Sequence, residues 1–380
     1  MDNCRSLIRL SKSSIKGAEK LAVMRILDKE FLGMGEEVRI FEDRLTEFFG
    51  RQAVCVVNGT AALHLSLQAC GIGFGDEVIV PSITYVASFQ AISATGAVPV
   101  ACDIDEDSLC LNLEDAEKRI TSKTKAIMPV HYSGGVGRLG KIYKLAEKNN
   151  LRVVEDAAHA FGTTFQNQKI GSFGDIACFS FDGIKNITSG EGGCIVTDDK
   201  EVLGLVRDAR LLGVEKDSEK RYLGERSWEF NVSRQGWRYH MSDIMAAIGI
   251  AQLSRFDEIK NKRRTLSKFY YNELKKIPSI KLIKHNYNEV VPHIFVLILD
   301  SDLSRTKVID LLKDKAISTG IHYLPNHLHS YFKNNTCLDE PLKNVEKISS
   351  RIITIPLHED LSRSEQIYII KNLEKIVRKI

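Results

Sequence analysis

The amino-acid sequence predicts an α/β protein with a large domain built on a mostly parallel sheet and a smaller C-terminal α+β domain. Between about residues 53 and 199, short apolar runs alternate with helical stretches, which is typical of a parallel sheet covered on both faces. Beyond residue 199 the sequence becomes more helical and more charged. The 380 residues are enough for two domains. We therefore predict a large domain over residues 1–255, with a helical N-terminal segment, and a small domain over residues 256–380.

The predicted elements follow one another along the chain. Seven β-rich runs predict the strands of the large sheet: "AVCVV", "DEVIVP", "VPVACDI", "KAIMPVH", "LRVVEDA", "DIACFSF" and "GCIVTD". Helices are predicted between them, over residues 60–70, 113–120 and 141–149. A long exposed loop, "GVEKDSEKRYLGERS", then precedes the helix "SDIMAAIGIAQLSRF" and a basic helix over residues 257–276. The small domain is predicted from three further runs with helices between them: "VPHIFVLIL", "STGIHYLP" and "RIITIPLH".

Composition and charge exclude several classes of protein. The 53 Lys and Arg residues are mixed with 49 Asp and Glu residues, and the net charge of +4 argues against a nucleic-acid partner. No apolar run approaches about 18 residues, and the N-terminus has no signal-peptide core, so we expect neither a membrane span nor secretion. The eight cysteines form no CxxC pair. We expect them to be small core residues of a cytoplasmic protein and not metal ligands.

One glycine pattern is similar to a dinucleotide-binding fingerprint. The segment "GVGRLG", residues 135–140, follows a strand, precedes a helix and has Glu155 further along the chain. However, "YSG" separates the end of the strand at His131 from these glycines, so they do not form the strand-to-helix turn itself. We interpret the segment as a surface loop, with a nicotinamide-dependent oxidoreductase as the alternative.

Because ligands of parallel sheets bind at the carboxyl ends of the strands, candidate residues are those that directly follow each run. The first is "NGTAALHLSLQA", where Gly59 and Thr60 would open a helix after the strand "AVCVV". Free backbone N–H groups and the helix dipole make such a position an anion site. Gly59 would let a phosphate approach the backbone, and Thr60 would add a hydroxyl. Taken alone, an ordinary helix N-cap explains this segment better.

A carboxylate and an aromatic ring follow two further runs. Asp156 closes the strand in "VVEDAAHA", where a buried carboxylate needs a cationic or hydrogen-bond-donating partner. His159 would lie on the same face if the following turn is helical. Tyr85 follows "EVIVP" and could present its ring to a flat ligand. The alternatives are a helix-capping aspartate, a structural histidine and a core aromatic.

A single lysine follows the run "DIACFSF". In "FDGIKNITSGEGG", Lys185 precedes a cluster of Ser189, Gly190, Gly192 and Gly193. Such a lysine is either a solvated loop charge or an amine held for chemistry. In combination, the four segments place a phosphate-type helix terminus, an aromatic ring, a strand-end aspartate and a strand-end lysine on one sheet. These are the requirements of a pyridoxal phosphate (PLP) site, in which the lysine forms the Schiff base and the aspartate keeps the ring nitrogen protonated.

With these motifs the sequence resembles the DegT/DnrJ/EryC1/StrS family of PLP-dependent nucleotide-sugar aminotransferases. The resemblance spans nearly the whole chain and lies in seven collinear segments: "NGTAALHLSLQACGIGFGDEVIVPSITYVAS", "GAVPVACDID", "TKAIMPVHYSG", "VVEDAAHAFGTTF", "GSFGDIACFSFDGIKNITSGEGGCIVTDD", "GWRYHMSDIMAAIGIAQLSR" and "GIHYLPNHL". It implies the PLP-dependent transferase fold of type I. It also implies a homodimer with shared active sites.

The resemblance also implies roles for individual residues. Lys185 would be the Schiff-base lysine and general acid/base, with Asp156 at the pyridine nitrogen. The remaining cofactor contacts would be His159 beside the ring, Tyr85 stacked on it, and Gly59, Thr60 and Ser180 at the phosphate. In "GIHYLPNHL", the implied substrate residues are His322, Tyr323 and His327.

Two departures from the family pattern concern its site. Where many members have Gly-Tyr-Asn-Tyr-Arg-Met, with an Asn that reaches the neighbouring subunit's phosphate, this chain has "GWRYHM". Arg238 occupies the Asn position, where it could clamp the cofactor phosphate or serve the nucleotide diphosphate. Asp182 and Gly183 stand where many members have His-Pro before the lysine region, which should change local shape and not the chemistry.

The expected reaction transfers an amino group from L-glutamate to the ketone of a nucleotide-linked keto-sugar. The resemblance favours a dTDP-4-keto-6-deoxyhexose, giving a 4-amino-4,6-dideoxy sugar for surface polysaccharide such as O-antigen. The alternatives are a 3-aminotransferase, a non-catalytic regulatory protein on the same fold, and the oxidoreductase named above. Lys185 argues against the related sugar dehydratases, in which a histidine replaces the lysine.

Overall fold

The computed structural model of the chain describes residues 6–226, 228–336 and 340–380. Its strands are β1 (Ala53–Val56), β2 (Glu77–Pro81), β3 (Val98–Cys102), β4 (Thr124–Ile127), β5 (Arg152–Asp156), β6 (Thr164–Phe165), β7 (Gln168–Lys169), β8 (Ile176–Ser180), β9 (Gly193–Val196), β10 (Ile280–Leu282), β11 (Phe295–Leu299) and β12 (Ile352–Ile355). Its α-helices are α1 (Gly17–Asp28), α2 (Glu36–Phe49), α3 (Gly59–Ala69), α4 (Val86–Ala94), α5 (Leu113–Lys118), α6 (Leu139–Lys148), α7 (Lys200–Ala209), α8 (Asp217–Tyr222), α9 (Asp243–Ser254), α10 (Phe256–Leu274), α11 (Arg305–Lys313), α12 (Ser330–Lys333), α13 (Lys343–Ser349) and α14 (Arg363–Val377).

The seven-stranded sheet has the order β1-β9-β8-β5-β4-β2-β3. Its pairings are parallel except for those of β9, which runs antiparallel to both β1 and β8. The prediction of a mostly parallel sheet is therefore confirmed. Because β9 alone is reversed, the other six strands end at the same edge, where the residues after them can meet.

Side chains of β8 show why the sheet is covered on both faces. Successive residues of a strand point to opposite faces. Cys178 belongs to the apolar cluster that includes α3, whereas Phe179 packs on the other face with Phe49 of α2 and with Phe161. By the same alternation, Ser180 lies on the α3 side at the strand's end. Both faces are thus buried, and one face ends in a polar group.

A second, three-stranded sheet is formed by β10, β11 and β12, all antiparallel. Its core packs against α10, α11 and α14, with Tyr270, Leu297 and Ile369 buried at its centre. Helices α9 and α10 meet at Arg255, which caps the end of one and the start of the other. The domain boundary near residue 255 stays a prediction.

Two predicted elements differ from the structure. The run "STGIHYLP" forms only an isolated bridge, between Gly320 and Thr354, and the third strand of the small sheet is the unpredicted β10. The stretch predicted as a long exposed loop contains α8, in which Asp217 and Ser218 are buried. Ser218 is buried because its hydroxyl bonds the buried Arg210, a partner that hydropathy does not reveal.

Within the described residues, no helix is long and apolar enough to cross a membrane, and no cluster of potential metal ligands is found. The described cysteines are free thiols, buried at Cys55, Cys102, Cys110, Cys178 and Cys194 and half-buried at Cys70. Cys4 and Cys337 lie outside the described residues.

Candidate active site

A cavity of about 470 Å³ opens where β1, β5 and β8 end, between the large sheet and residues of the C-terminal part of the chain. It brings together nine of the residues predicted from the sequence: Gly59, Thr60, Tyr85, Asp156, His159, Ser180, Lys185, His322 and Tyr323. The glycines of "GVGRLG" do not line it, since they lie between the short 3-10 helix at Tyr132–Gly134 and α6.

One end of the cavity is formed by the N-terminus of α3. Asn58 caps this helix by accepting a 2.8 Å hydrogen bond from Ala61 N–H, which leaves the preceding N–H groups free. A Cβ at Gly59 would lie 2.9 Å from the Cβ of Ser180, so only glycine permits this approach of α3 to β8. With the hydroxyls of Thr60 and Ser180, the site offers neutral donors suited to a phosphate.

Asp156 lies at the end of β5 and is nearly buried, with 6% of its surface exposed. Its partners among the described residues are the Ser88 hydroxyl, which donates to Oδ2 at 2.7 Å, and Ala158 N–H, which donates to Oδ1 at 3.2 Å. Ser88 is in turn bonded to Thr84 at 2.8 Å. The carboxylate is therefore held in place by neutral donors and faces a cavity in which a cationic ring nitrogen would be a suitable partner.

Lys185 enters the cavity from the loop after β8. Its backbone is fixed by a 3.0 Å bond from Lys185 N–H to the Asp182 carbonyl and by the side chain of Asn186, which donates to the Val291 carbonyl at 3.1 Å. Burial lowers the pKa of Lys185 to about 8, although the charges of Asp156 and Asp182 oppose this shift. Lys185 is half-buried, and a lysine with a lowered pKa in such a place is suited to act as a nucleophile and as a proton carrier near neutral pH.

Three histidines surround the lysine amine. Burial lowers the pKa values of His159 and His293 well below their usual range and that of His322 to about 4, and the Lys185 charge adds to each shift. All three are therefore neutral near pH 7. Ser133 N–H donates to Nδ1 of His159 at 3.3 Å, which places the proton of His159 on Nε2, 3.1 Å from the Tyr323 hydroxyl.

Two tyrosines and two further carboxylates line the cavity. Tyr85 is 58% exposed, and its ring centroid lies 5.6 Å from that of Tyr323. Asp182 and Glu191 also line the cavity, and burial together with the Asp182 charge raises the pKa of Glu191. Tyr85 is thus placed to cover a flat ligand from the solvent side.

Two predicted residues lie elsewhere. His327 is buried beside the sheet, where its Nδ1 is 2.6 Å from the Ser82 hydroxyl, and it does not line the cavity. Arg238 is exposed and lines a separate cavity of about 110 Å³ with Arg221, Phe230 and His240. Neither residue reaches the large cavity of its own chain.

Two residues that contact the site were not predicted from the sequence. His293 lies two residues before β11 and lines the cavity, where it approaches Lys185. Ser88 lies on α4 and bonds Asp156 without lining the cavity. Ser88 follows Tyr85 by three residues on a helix, so helical spacing could have indicated it. No local pattern marked His293, because its partner lies far away in the sequence.

The residues present fit PLP, since the cavity joins a half-buried amine, a buried carboxylate with neutral partners and a phosphate-type helix terminus. Together with the sheet order, they define a PLP-dependent transferase of fold type I. The family model of the DegT/DnrJ/EryC1/StrS aminotransferases matches residues 13–374, and the chain therefore belongs to this family.

Known proteins similar to this chain agree with that class. Uncharacterized protein MJ1066 of Methanocaldococcus jannaschii is 36% identical over 366 residues, which cover 93% of this chain and 94% of the relative. Spr1654 of Streptococcus pneumoniae, assigned as a sugar aminotransferase, has been solved in PMP and PLP forms. Its PMP form is 30% identical, with a TM-score of 0.91 and 98% of each chain covered.

PseC of Helicobacter pylori, an aminotransferase involved in the biosynthesis of pseudoaminic acid, is 26% identical with a TM-score of 0.90, over 99% of this chain and 100% of PseC. The chain is thus similar to sugar aminotransferases over nearly its whole length. Its cofactor is PLP.

Proposed function

We propose that this aminotransferase moves an amino group from L-glutamate to the ketone of a nucleotide-linked keto-sugar. The observation that carries the proposal is the meeting of the Lys185 amine, the Asp156 carboxylate and the N-terminus of α3 in one cavity. The similarity to sugar aminotransferases supports the sugar substrate. We propose a dTDP-4-keto-6-deoxyhexose as the acceptor and a 4-amino-4,6-dideoxy sugar for surface polysaccharide as the product.

The cavity residues divide into three groups by the part of the cofactor they would hold. Asp156 would accept a hydrogen bond from the protonated ring nitrogen, and Tyr85 would cover the ring. Gly59, Thr60 and Ser180 would bind the phosphate through the N-terminus of α3. The neutral His159, oriented by Ser133 and Tyr323, would lie beside the ring. Lys185 would hold the cofactor covalently and be released when the amino donor takes its place.

The chemistry then depends on a proton that Lys185 moves. When bound, PLP supplies an electron sink for the negative charge that develops on the α-carbon of the donor. The Lys185 amine would accept the proton from that α-carbon and deliver it to the cofactor carbon that carries the amino nitrogen. Its pKa of about 8 allows both forms of the amine to be populated near neutral pH. Burial of the cavity around the amine limits exchange of this proton with water.

The sugar is proposed to bind beside Tyr323 and His322, at the side of the cavity formed by the C-terminal part of the chain. His322 is fixed by a 2.9 Å bond between Nδ1 and the Thr354 hydroxyl, and the Tyr323 hydroxyl is fixed by His159. Hydroxyl and imidazole groups held in this way suit the hydroxyls of a sugar ring.

The distribution of charge supports a homodimer with shared active sites. Lys185 is the one lysine or arginine among the described residues that line the large cavity, which also holds Asp156, Asp182 and Glu191. A cofactor phosphate and a nucleotide diphosphate need more cationic partners than one chain supplies. Arg238 is exposed and does not reach the cavity of its own chain. We therefore propose that Arg238 serves the site of the partner subunit.

Exposed apolar side chains offer surfaces for such an assembly. Leu21, Met24 and Leu27 are exposed on one helix, α1. Trp228 and Phe230 are exposed in the segment that leads to Arg238, at 85% and 58%. Large exposed apolar groups of this kind mark interfaces more often than free surface. We further propose that the enzyme works in the cytoplasm, in keeping with the free thiols of its described cysteines.

A spectroscopic assay tests the proposed function. L-Glutamate should convert the near-visible absorbance of the holoenzyme to that of the aminated cofactor, and addition of the dTDP-4-keto-6-deoxy sugar should restore it with formation of one equivalent of amino sugar. The matched 3-keto isomer is the control for the position of the ketone. A spectrum that does not respond to any amino donor would contradict the transferase reaction, and restoration by the 3-keto sugar alone would contradict the proposed substrate.

A further inference from the structure

His293 contacts the lysine amine from the C-terminal part of the chain. It lies two residues before β11, and 3% of its surface is exposed. Its Nε2 lies 3.5 Å from Nζ of Lys185, at the long end of the hydrogen-bond range, and its ring centroid lies 4.5 Å from that of His159. Among the described residues, His293 is the side chain within hydrogen-bond distance of this amine. Contacts of this kind are often long until the substrate is bound.

The backbone of His293 is held by a buried arginine. Arg263 of α10 donates from Nη1 to the His293 carbonyl at 3.1 Å and forms a 3.0 Å ion pair with Glu359 through Nε. Arg263 is 1% exposed, so this anchor is shielded from water. This ion pair and its hydrogen bond to the carbonyl fix the backbone of His293 relative to α10.

The same segment is tied directly to the lysine loop. The carbonyl of Val291 accepts the 3.1 Å bond from Asn186, the residue after Lys185, and Val291 N–H donates to the Thr163 hydroxyl at 3.0 Å. The backbones that carry Lys185 and His293 are therefore joined through one hydrogen bond. The two side chains therefore extend toward each other from backbones that are fixed, with Nζ 3.5 Å from Nε2.

The chemistry of a neutral imidazole suits this position. His293 is uncharged near pH 7 because burial lowers its pKa, and Nδ1 is buried without a partner among the described residues. Nε2 can accept a hydrogen bond from the ammonium form of Lys185, with the proton of the imidazole on Nδ1. It can donate to the neutral amine when that proton is on Nε2. The other groups that face the amine electrostatically are Asp156, Asp182 and the remaining two histidines.

We propose that His293 is a positioning residue for Lys185, holding Nζ in place while the released amine carries the proton between the α-carbon of the donor and the cofactor. The proposal rests on the proposed function, because it concerns the interval in which Lys185 is not bonded to the cofactor. The proposal requires that Nε2, and not Nδ1, holds the Lys185 amine, since Nε2 is the atom that faces Nζ.

Substitutions of His293 separate these two atoms. In His293→Gln the amide reaches the place of Nε2, in His293→Asn it reaches only that of Nδ1, and His293→Leu fills the space without a polar atom. The pH dependence of acetylation of Lys185 by acetic anhydride, followed by peptide mass analysis of the cofactor-free full chain, reports the pKa of the amine. We expect the apparent pKa to fall by about half a unit or more in the Leu and Asn variants and to remain near that of the wild type in the Gln variant.

Kinetics of the holoenzyme provide a second measurement. The rate of the L-glutamate half-reaction should fall about tenfold or more in the Leu and Asn variants, with KM changed less than about twofold, and the Gln variant should recover most of the rate. His285→Leu is the matched control, because it also removes an imidazole from the C-terminal part of the chain, and His285 is half-buried and does not line the cavity. It should leave the Lys185 profile unchanged.

Two results would overturn the proposal: an unchanged Lys185 profile in the Leu and Asn variants, or a Gln variant as impaired as the Leu variant. If the Leu variant does not fold, as judged by circular dichroism, the Gln and Asn pair still decides. The Lys185 profile is independent of turnover. A wild-type enzyme inert toward amino donors would therefore contradict the proposed function without affecting this measurement.

Discussion

Lys185 combines features that make its removal a chemical lesion and not a structural one. Its side chain lies in the cavity and not within an apolar cluster. We expect Lys185→Ala to abolish transamination, by several orders of magnitude, while the protein remains folded. Borohydride reduction of the wild-type holoenzyme followed by peptide mapping should place the label on Lys185 alone. The exposed Lys141→Ala variant is the control and should retain full label. Label on any other lysine would contradict the assignment.

Asp156 gives a prediction that separates charge from hydrogen bonding. Asn at this position could still bond Ser88 and Ala158, the present partners of the carboxylate, but it could not keep a ring nitrogen protonated. We expect Asp156→Asn to lower the rate by several orders of magnitude with the cofactor still bound. Rapid mixing with L-glutamate measures the rate, and the absorbance of the holoenzyme measures the bound cofactor. Near-normal turnover would show that Asp156 only caps the turn after β5.

The charge of Asp182 leads to a prediction of how the rate depends on pH. Its charge raises the pKa of Lys185, which burial has lowered to about 8. Because the amine is active when deprotonated, the rate should rise with pH and level off above about 8. Removing the charge in Asp182→Asn should lower the pKa of Lys185 and move this limb of the kcat profile to lower pH. The exposed Asp43→Asn variant should leave the limb in place. A limb that moves to higher pH would refute the electrostatic role of Asp182.

Among the residues of the site, the sequence predicted those that lie at or after the ends of strands. It missed those whose partners are set by packing. Asp156 is the last residue of β5, and Gly59 and Lys185 follow β1 and β8 within a few residues, so the edge of the sheet assembles them. Ser88 bonds a carboxylate 68 residues away and His293 approaches an amine 108 residues away. These contacts depend on the order of strands and on where the small sheet packs, which no spacing within the sequence encodes.

Among the elements, β9 is the strand whose direction the alternating pattern did not reveal. It follows β8 after residues 181–192, which contain no α-helix, whereas a parallel neighbour needs a crossover, usually through a helix. The reversal has a consequence for the site. It brings the first residue of β9, Gly193, beside Val56 and Ser180, and so against the start of α3.

Gly193 therefore carries a prediction about the phosphate end of the cavity. A Cβ at Gly193 would lie 2.6 Å from the carbonyl carbon and oxygen of Asn58 and 2.7 Å from the Phe179 carbonyl oxygen. Since these are backbone atoms, Gly193→Ala should shift β9 away from Asn58 and lower the free energy of unfolding by about 2 kcal/mol or more. Denaturant unfolding measures this change, and cofactor titration should show weaker binding.

A helical glycine provides the control for that substitution. Gly204 lies within α7, with open space where its Cβ would be. Gly204→Ala should therefore be neutral or stabilise the protein by about 0.5–1 kcal/mol, since alanine favours the helix more than glycine. Equal stability of Gly193→Ala and the wild type would show that β9 adapts without disturbing α3.

The large cavity supplies one lysine and three carboxylates, so phosphate groups bound there would need further cations to neutralise them. Arg238 lies on a chain segment anchored to the site's own framework, since the carbonyl of its neighbour Tyr239 accepts a 2.7 Å bond from Val57 N–H. The guanidinium itself faces outward, beside Arg221 and the exposed Phe230. This arrangement is suited to delivering a cation across a two-fold interface, in which each chain would complete the cavity of the other.

Mixed dimers test this arrangement. Arg238→Ala alone should weaken binding of the cofactor or the nucleotide sugar, and Lys185→Ala alone should be inactive. If Arg238 acts on the partner's site, a dimer of one subunit of each variant has one site with both lesions and one site with neither. Random exchange makes half the dimers mixed, with one good site each, so activity should recover to roughly a quarter of that of the wild type. Size-exclusion chromatography confirms that exchange has produced dimers. If Arg238 acts within its own chain, every site in a mixed dimer carries one lesion, and activity should not exceed that contributed by the Arg238→Ala subunits. That result would contradict the shared site.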